Sequence, residues 1–346
     1  MSISGATMVV GSPYNSIADV YTLTSGRWST KPSVVLSEGD EDFGWHVGVS
    51  GNIMMVGAPG GAGVVYVYTK SVNGLWPKTP SAVIACPVDC SYGNFGENFK
   101  LSGTSVVIGA SNEGVPSHEG AAYLFNESGG AWNLTATFLN PDTNTNDLFG
   151  FSVAMTTGVV VVGAPRTPSS SGSVPGPGAA YIYAEAAGIW PTSPTVTLVD
   201  PGTTLEDTFG YAVAASMTNV AVGAPGYSTI GQVYMYTAAS GVWPATPTAS
   251  LTSPEQYASF GSALTIALTQ VFVSQPCCSS TGVVTGYMAV NGKWKTTPFV
   301  TIVGPFEDAG GIGFSLSLWS TTLAIGAPCI TSATGYPAGF AYIYHV

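Results

Sequence analysis

Phe149-Gly150-Phe151-Ser152-Val153-Ala154-Met155-Thr156-Thr157-Gly158-Val159-Val160-Val161-Val162-Gly163-Ala164-Pro165 is the stretch on which the fold turns. A Phe-Gly pair opens it, a Gly-Ala-Pro closes it, and fourteen residues separate the two motif starts. The same spacing recurs along the chain. Phe43-Gly44, Phe95-Gly96, Phe209-Gly210 and Phe260-Gly261 hold the first motif, with Ile312-Gly313 in the sixth place. The second motif begins at Gly57, Gly109, Gly223, Ser274 and Gly326, and Pro59, Pro165, Pro225 and Pro328 take its third position. Gly11-Ser12-Pro13 is a seventh copy. Repetition with a period near 50 residues marks an array of one supersecondary unit.

Each repeat continues in one order. An alternating apolar stretch carries paired aromatics, at Tyr66/Tyr68, Tyr123/Phe125, Tyr181/Tyr183, Tyr234/Tyr236 and Tyr342/Tyr344. A Gly-x-Trp follows, ending at Trp28, Trp76, Trp132, Trp190, Trp243 and Trp294, and then a β-branched run such as Val196-Thr197-Leu198. Four short strands per repeat, punctuated by Gly, Pro and Asn, predict a propeller blade. The strands are A after Phe-Gly, B ending in Gly-Ala-Pro, C with the Tyr pair, and D after Trp. No segment holds a helical period with caps. The run Val159–Val162 suits a B strand covered on both faces, and the motif glycines suit close backbone approach or positive φ.

The expected fold is therefore all-β, a seven-bladed β-propeller of four-stranded antiparallel blades. It spans 1–346 as a single domain, with repeats beginning near 1, 43, 95, 149, 209, 260 and 312. On this reading the chain begins in strand B of the first repeat and ends in strand C of the last, at Tyr344-His345-Val346. That gives six A, seven B, seven C and six D strands, so one blade is expected to be incomplete in this chain. Propellers hide their edges by closure, so a longer polypeptide or a neighbouring molecule is expected to complete it.

The coupled motifs resemble the FG-GAP repeats of the integrin α-subunit propeller and of many secreted bacterial, algal and viral proteins. The resemblance covers nearly the whole chain and implies a seven-bladed propeller with a role in adhesion, ligand binding or surface architecture. One departure matters. Integrin-type repeats carry an Asp-rich calcium loop between the two motifs, whereas Phe151–Gly158 holds no carboxylate. The chain resembles the short-gap variety lacking the calcium loops, and no cofactor is expected.

Charge excludes several partners. Net charge is −11, and the eight Lys and Arg are scattered singly. Nucleic acid and anionic membrane surfaces need clustered cations. Apolar residues reach 45%, yet no apolar run approaches the ~18–20 residues of a spanning helix. MSISGATMVV, at the N-terminus, lacks the basic start of a signal peptide.

Five cysteines point to an oxidising compartment. Cys86 and Cys90 bracket a short loop and are expected to pair. Cys277 and Cys329 follow equivalent motifs in consecutive repeats, so a second disulfide is expected from Cys277 or Cys278 to Cys329. Asn126 and Asn133 head N-glycosylation sequons. Together these features place the protein outside the cell or on its surface.

No catalytic constellation is legible. His46, His118 and His345 share no spacing, and neither a nucleophile elbow nor a phosphate loop occurs; the chain is read as not an enzyme. Asp142, Asn144, Asn146 and Asp147 alternate oxygens like the start of a calcium loop but lack its Gly and its later Glu, so a plain Asx-rich turn is the simpler reading.

Strand parity puts the A–B and C–D turns at one end of each blade and the B–C and D–A connections at the other. B–C connections vary in length, the longest running from Arg166 to Gly178. Variable loops on a fixed scaffold are where binding usually resides. Acidic groups such as Asp40-Glu41-Asp42, Glu206-Asp207 and Glu307-Asp308 precede Phe-Gly at that same end, where carboxylates can cap turn amides. The sequons lie at the opposite end.

Two functions fit. One is a non-enzymatic extracellular structural or adhesive module of a cell-surface, appendage or sheath assembly, with protein partners or self-assembly through the incomplete blade. The other is a carbohydrate- or protein-binding propeller, a lectin-like reading that would recruit Trp76-Pro77, Trp190-Pro191 and Trp243-Pro244. A Trp at a repeat position more often packs blades together.

Overall fold

A computed structural model describes the chain apart from residues 89, 91–92, 113–119, 143–146, 166–176, 203–206, 227–230, 254–258, 277–281, 305–311 and 332–336, together with the side chains of 329–338. The chain divides into two compact units, Met1–Met155 and Thr156–Val346.

In the first unit, Ser2–Ser4 (β1), Thr7–Ser12 (β2), Ile17–Thr24 (β3), Arg27–Trp28 (β4) and Val34–Leu36 (β5) make the first sheet. The second is Val47–Ser50 (β6), Ile53–Ala58 (β7), Val64–Thr69 (β8) and Ala82–Ala85 (β9). The third is Phe99–Ser102 (β10), Ser105–Ala110 (β11), Ala121–Ser128 (β12) and Ala131–Leu139 (β13), and Ser152–Thr156 (β14) opens the fourth. Neighbours within each sheet run antiparallel. Two-residue turns such as Gly51-Asn52 join strands A and B, and Gly51 takes the positive φ of 58° that such hairpins demand.

The core lies between consecutive sheets. Val9, Val20 and Leu36 of the first meet Phe43, Met54, Val56 and Tyr68 of the second. On the other face of the second sheet, Met55, Val65, Val67 and Ile84 meet Phe95, Phe99, Ile108 and Tyr123 of the third. B strands are therefore covered on both faces, while D strands bury only alternate residues, as in the pattern of β9.

The fixed spacing of the motifs has a backbone cause. Gly44 N donates to Gly57 O at 3.0 Å, so the two motifs close one A–B hairpin. Gly57 then meets the next sheet, where a β-carbon on it would stand 2.2 Å from Gly96 O. Gly11 against Gly44 and Gly109 against Gly150 repeat the approach. The Phe of each pair is wholly buried at 43, 95 and 149.

One expectation is corrected. The chain begins in strand A, not strand B, because Ser2 pairs with Val9 and Ser4 with Thr7. No Phe-Gly precedes this strand to announce it. Ile3 alone supplies an apolar contact, and the hydroxyls of Ser2 and Ser4 accept from Val49 N and Gly51 N of the second sheet at 3.0 and 3.1 Å.

In the second unit, Val159–Ala164 (β15), Ala179–Ala184 (β16) and Val196–Val199 (β17) continue the fourth sheet. The fifth is Ala212–Ala215 (β18), Asn219–Ala224 (β19), Gln232–Thr237 (β20) and Ala249–Thr252 (β21). The sixth is Leu264–Ala267 (β22), Gln270–Gln275 (β23), Val283–Val290 (β24), Lys293–Trp294 (β25) and Val300–Val303 (β26). Ser315–Trp319 (β27), Thr322–Thr331 (β28) and Pro337–His345 (β29) form the seventh, and no strand pairs with the outer edge of β29 among the described residues. All six residues of β15 are buried. Phe209, Phe260 and Ile312 are wholly enclosed, and Gly210, Gly261 and Gly313 donate to Gly223, Ser274 and Gly326 at 2.9–3.0 Å.

The fold is thus all-β: seven antiparallel sheets of three to five strands, the blades of a β-propeller. Among the described residues the only helical turn is the 3-10 segment Pro13–Asn15.

Candidate functional site

The Phe-Gly turns do more than bury a ring. Asp42 adopts a positive φ of 61° and its carbonyl accepts from Trp45 N at 3.0 Å, closing a turn around Phe43-Gly44. As Phe43 goes in, Trp45 comes out, and it stands 45% exposed. One blade later the turn repeats. Asn94 has φ 59°, and Glu97 N donates to Asn94 O at 3.0 Å across Phe95-Gly96. The first and last residues of these two turns, Asp42, Trp45, Asn94 and Glu97, line one open cleft of about 450 Å³. Pro59, Gly60 and Gly61 of the second sheet's B–C loop and Asn112 of the third sheet's complete it.

Backbone bonds hold this cleft in shape. Asn112 N donates to Gly93 O at 3.2 Å, and Gly93 N donates to Cys90 O. A β-carbon on Gly60 would lie 2.9 Å from Glu41 O, so the loop passes close to the first turn. Burial raises the Glu97 carboxyl above the usual range; an Asn94 hydrogen bond pulls it back and the Asp42 charge pushes it up again. None of the eight lining residues is Lys or Arg. The wall therefore offers two carboxylates, two amides and one indole.

Neighbouring acids are already engaged. Tyr68 Oη donates to Glu38 Oε1 at 2.7 Å and Tyr66 Oη to Asp40. In the second unit Gly202 N donates to Asp200 Oδ1 at 2.8 Å. Burial lifts Asp200 to about 6, against that amide and with help from the adjoining Asp207. Acids ahead of Phe-Gly thus serve tyrosines and turn amides, and of the described acids only Asp42 and Glu97 line the cleft.

Other expected positions scatter. Cys86 and Cys90 form a disulfide with Cα atoms 6.1 Å apart, and Cys90 is buried beside Ile84, Phe95 and Phe99. The second disulfide falls on Cys277, Cys278 and the Cys329 side chain, outside the described residues. Asn126 and Asn133 face each other across the β12–β13 hairpin; Asn133 is exposed, whereas Asn126 is half-buried with an enclosed Oδ1. Of the weak metal candidate, Asn144 and Asn146 lie outside the described residues; Asp142 N donates to Asn140 Oδ1 at 3.1 Å, and Asp147 is buried. Among the described residues no three His, Cys, Asp or Glu gather as a metal site. His46 packs edge-on against Phe99, with ring centroids 4.6 Å apart.

Three of the Gly-x-Trp residues turn inward, while Trp28, Trp132 and Trp190 are half-buried. Trp76, Trp243 and Trp294 are 7–8% exposed. Trp76 Nε1 donates to Thr7 Oγ1 of the first sheet at 3.3 Å, and Trp294 Nε1 to Asn219 Oδ1 of the fifth at 3.2 Å. Trp76 and Trp294 thus tie neighbouring blades together. The exposed aromatic sits one residue after Phe-Gly instead, at Trp45, with Phe314 in the same repeat position and 47% exposed. Phe151 and Tyr211 share that position. The signal was in the sequence, hidden beside the stronger motif.

Fold and cleft fit a non-enzymatic binding module. The model of the FG-GAP repeat family matches residues 132–183, from the D strand of one blade through both motifs to the Tyr pair of the next. The chain thus carries an FG-GAP repeat at 132–183 within a β-propeller of seven blades. A comparison with curated proteins found no match.

Proposed function

We propose that this propeller is a non-enzymatic extracellular adhesive module that holds its ligand in the cleft between the second and third blades. The observation that carries the reading is the cleft itself. Two copies of a structural turn, each anchored by a wholly buried Phe, present Asp42, Trp45, Asn94 and Glu97 to one open space. Trp45 stands 45% exposed on a turn anchored by the wholly buried Phe43, and so offers an accessible indole on a supported backbone. The Cys86–Cys90 disulfide and the exposed Asn133 sequon support an oxidising, extracellular setting. Surface plasmon resonance against immobilised extracellular material tests it: binding should fall at least ten-fold in Trp45→Ala with unchanged melting temperature. Binding untouched by that substitution would contradict the reading.

A further inference from the structure

Resting on the cleft as the ligand site, we infer that its ligand is a neutral or amino-bearing saccharide, stacked on Trp45 and hydrogen-bonded by Asp42, Asn94, Glu97 and Asn112. A sugar ring has an apolar C–H face and a rim of hydroxyls. A flat indole serves the first, and converging carboxylates and amides, which accept and donate, serve the second. The volume of about 450 Å³ lies within the range of small-ligand clefts and suits one or two rings.

Competing ligand classes fit less well. An extended peptide is usually held through main-chain hydrogen bonds to a free edge. Here the lining turns spend theirs internally, Trp45 N on Asp42 O, Glu97 N on Asn94 O and Asn112 N on Gly93 O. Sulfated or sialylated sugars would meet two carboxylates and no cation among the lining residues. The other Phe-Gly turns do not reproduce this wall: Leu148, Thr208 and Ser259 replace the acid or amide at the first position. One high-affinity site is therefore expected per chain.

Isothermal titration of the whole chain with chitotriose, cellotriose and mannotriose, beside sialyllactose and a heparin tetrasaccharide, tests the inference. At least one neutral sugar should bind at one site per chain. Its affinity should fall ten-fold or more in Trp45→Ala and in Glu97→Gln/Asn94→Ala. Trp319→Ala, which removes another exposed indole on β27, should leave it unchanged. Binding only of the acidic sugars, neutral-sugar binding insensitive to Trp45→Ala, or binding abolished by EDTA and restored by calcium would each overturn the inference. If no sugar binds but an extracellular protein does so through Trp45, the cleft stands and the ligand class is wrong. If nothing binds through Trp45, both fail.

Discussion

Gly57 leaves no room for a β-carbon, since one would stand 2.2 Å from Gly96 O. Gly74, by contrast, has a positive φ, 77°, and nothing lies within 4 Å of where its β-carbon would be. Gly74→Ala should therefore cost about 1 kcal/mol for a left-handed backbone. Gly57→Ala must push neighbouring blades apart and should cost about 3 kcal/mol or more. Urea unfolding of both variants separates close approach from conformational freedom; equal losses would contradict the packing account. Asp200 gives a prediction with a pH signature. Its folded pKa, about 6, lies above the ordinary carboxylate value, so the folded state binds its proton more tightly than the unfolded state does. The favourable contribution is full below the unfolded pKa and is lost as pH rises through about 6. Asp200→Asn should stabilise the chain by about 1 kcal/mol above neutrality, allowing for solvent screening, and have little effect near pH 4. Melting curves of both proteins across that range check it.

At the scale of elements, legibility followed backbone demand. Phe-Gly and Gly-Ala-Pro were readable because the hairpin bond from Gly44 to Gly57 fixes their spacing and the inter-blade approach fixes their glycines. The glycine ahead of each C strand is less conspicuous, although a β-carbon on Gly63 would stand 2.2 Å from Phe95 O. Strand β1 was not legible because its role rests on two serine hydroxyls rather than on a motif. The loop closed by Cys86 and Cys90 leads through Gly93 into the Asn94–Glu97 turn. Replacing both cysteines by Ser should cost about 2 kcal/mol for so short a loop and weaken ligand binding at the cleft, as read by chemical unfolding and by titration. A variant of wild-type stability would contradict a structural bond. On the β12–β13 hairpin, exposure differs between the facing sequons, so material from a glycosylating host should carry a glycan on Asn133 and not on the half-buried Asn126. Peptide mapping after glycosidase treatment in heavy-oxygen water reads this directly.

Across the whole molecule, the sequence announced the repeat but not the site. Asp42 and Glu97 lie in different repeats, and only inter-blade packing brings them to one cleft. Trp45 stayed hidden because the repeated Gly-x-Trp drew the lectin-like reading to Trp76, Trp190 and Trp243, of which the blades bury Trp76 and Trp243. The central claim is that ligand is held at the cleft between the second and third blades. Hydrogen–deuterium exchange of the intact chain, with and without the tightest-binding trisaccharide, tests it most directly. Protection is predicted in peptides covering 40–46, 59–63 and 93–98, with the β12–β13 hairpin unchanged. Protection centred on that hairpin, or absent from both Phe-Gly turns at saturation, would contradict it.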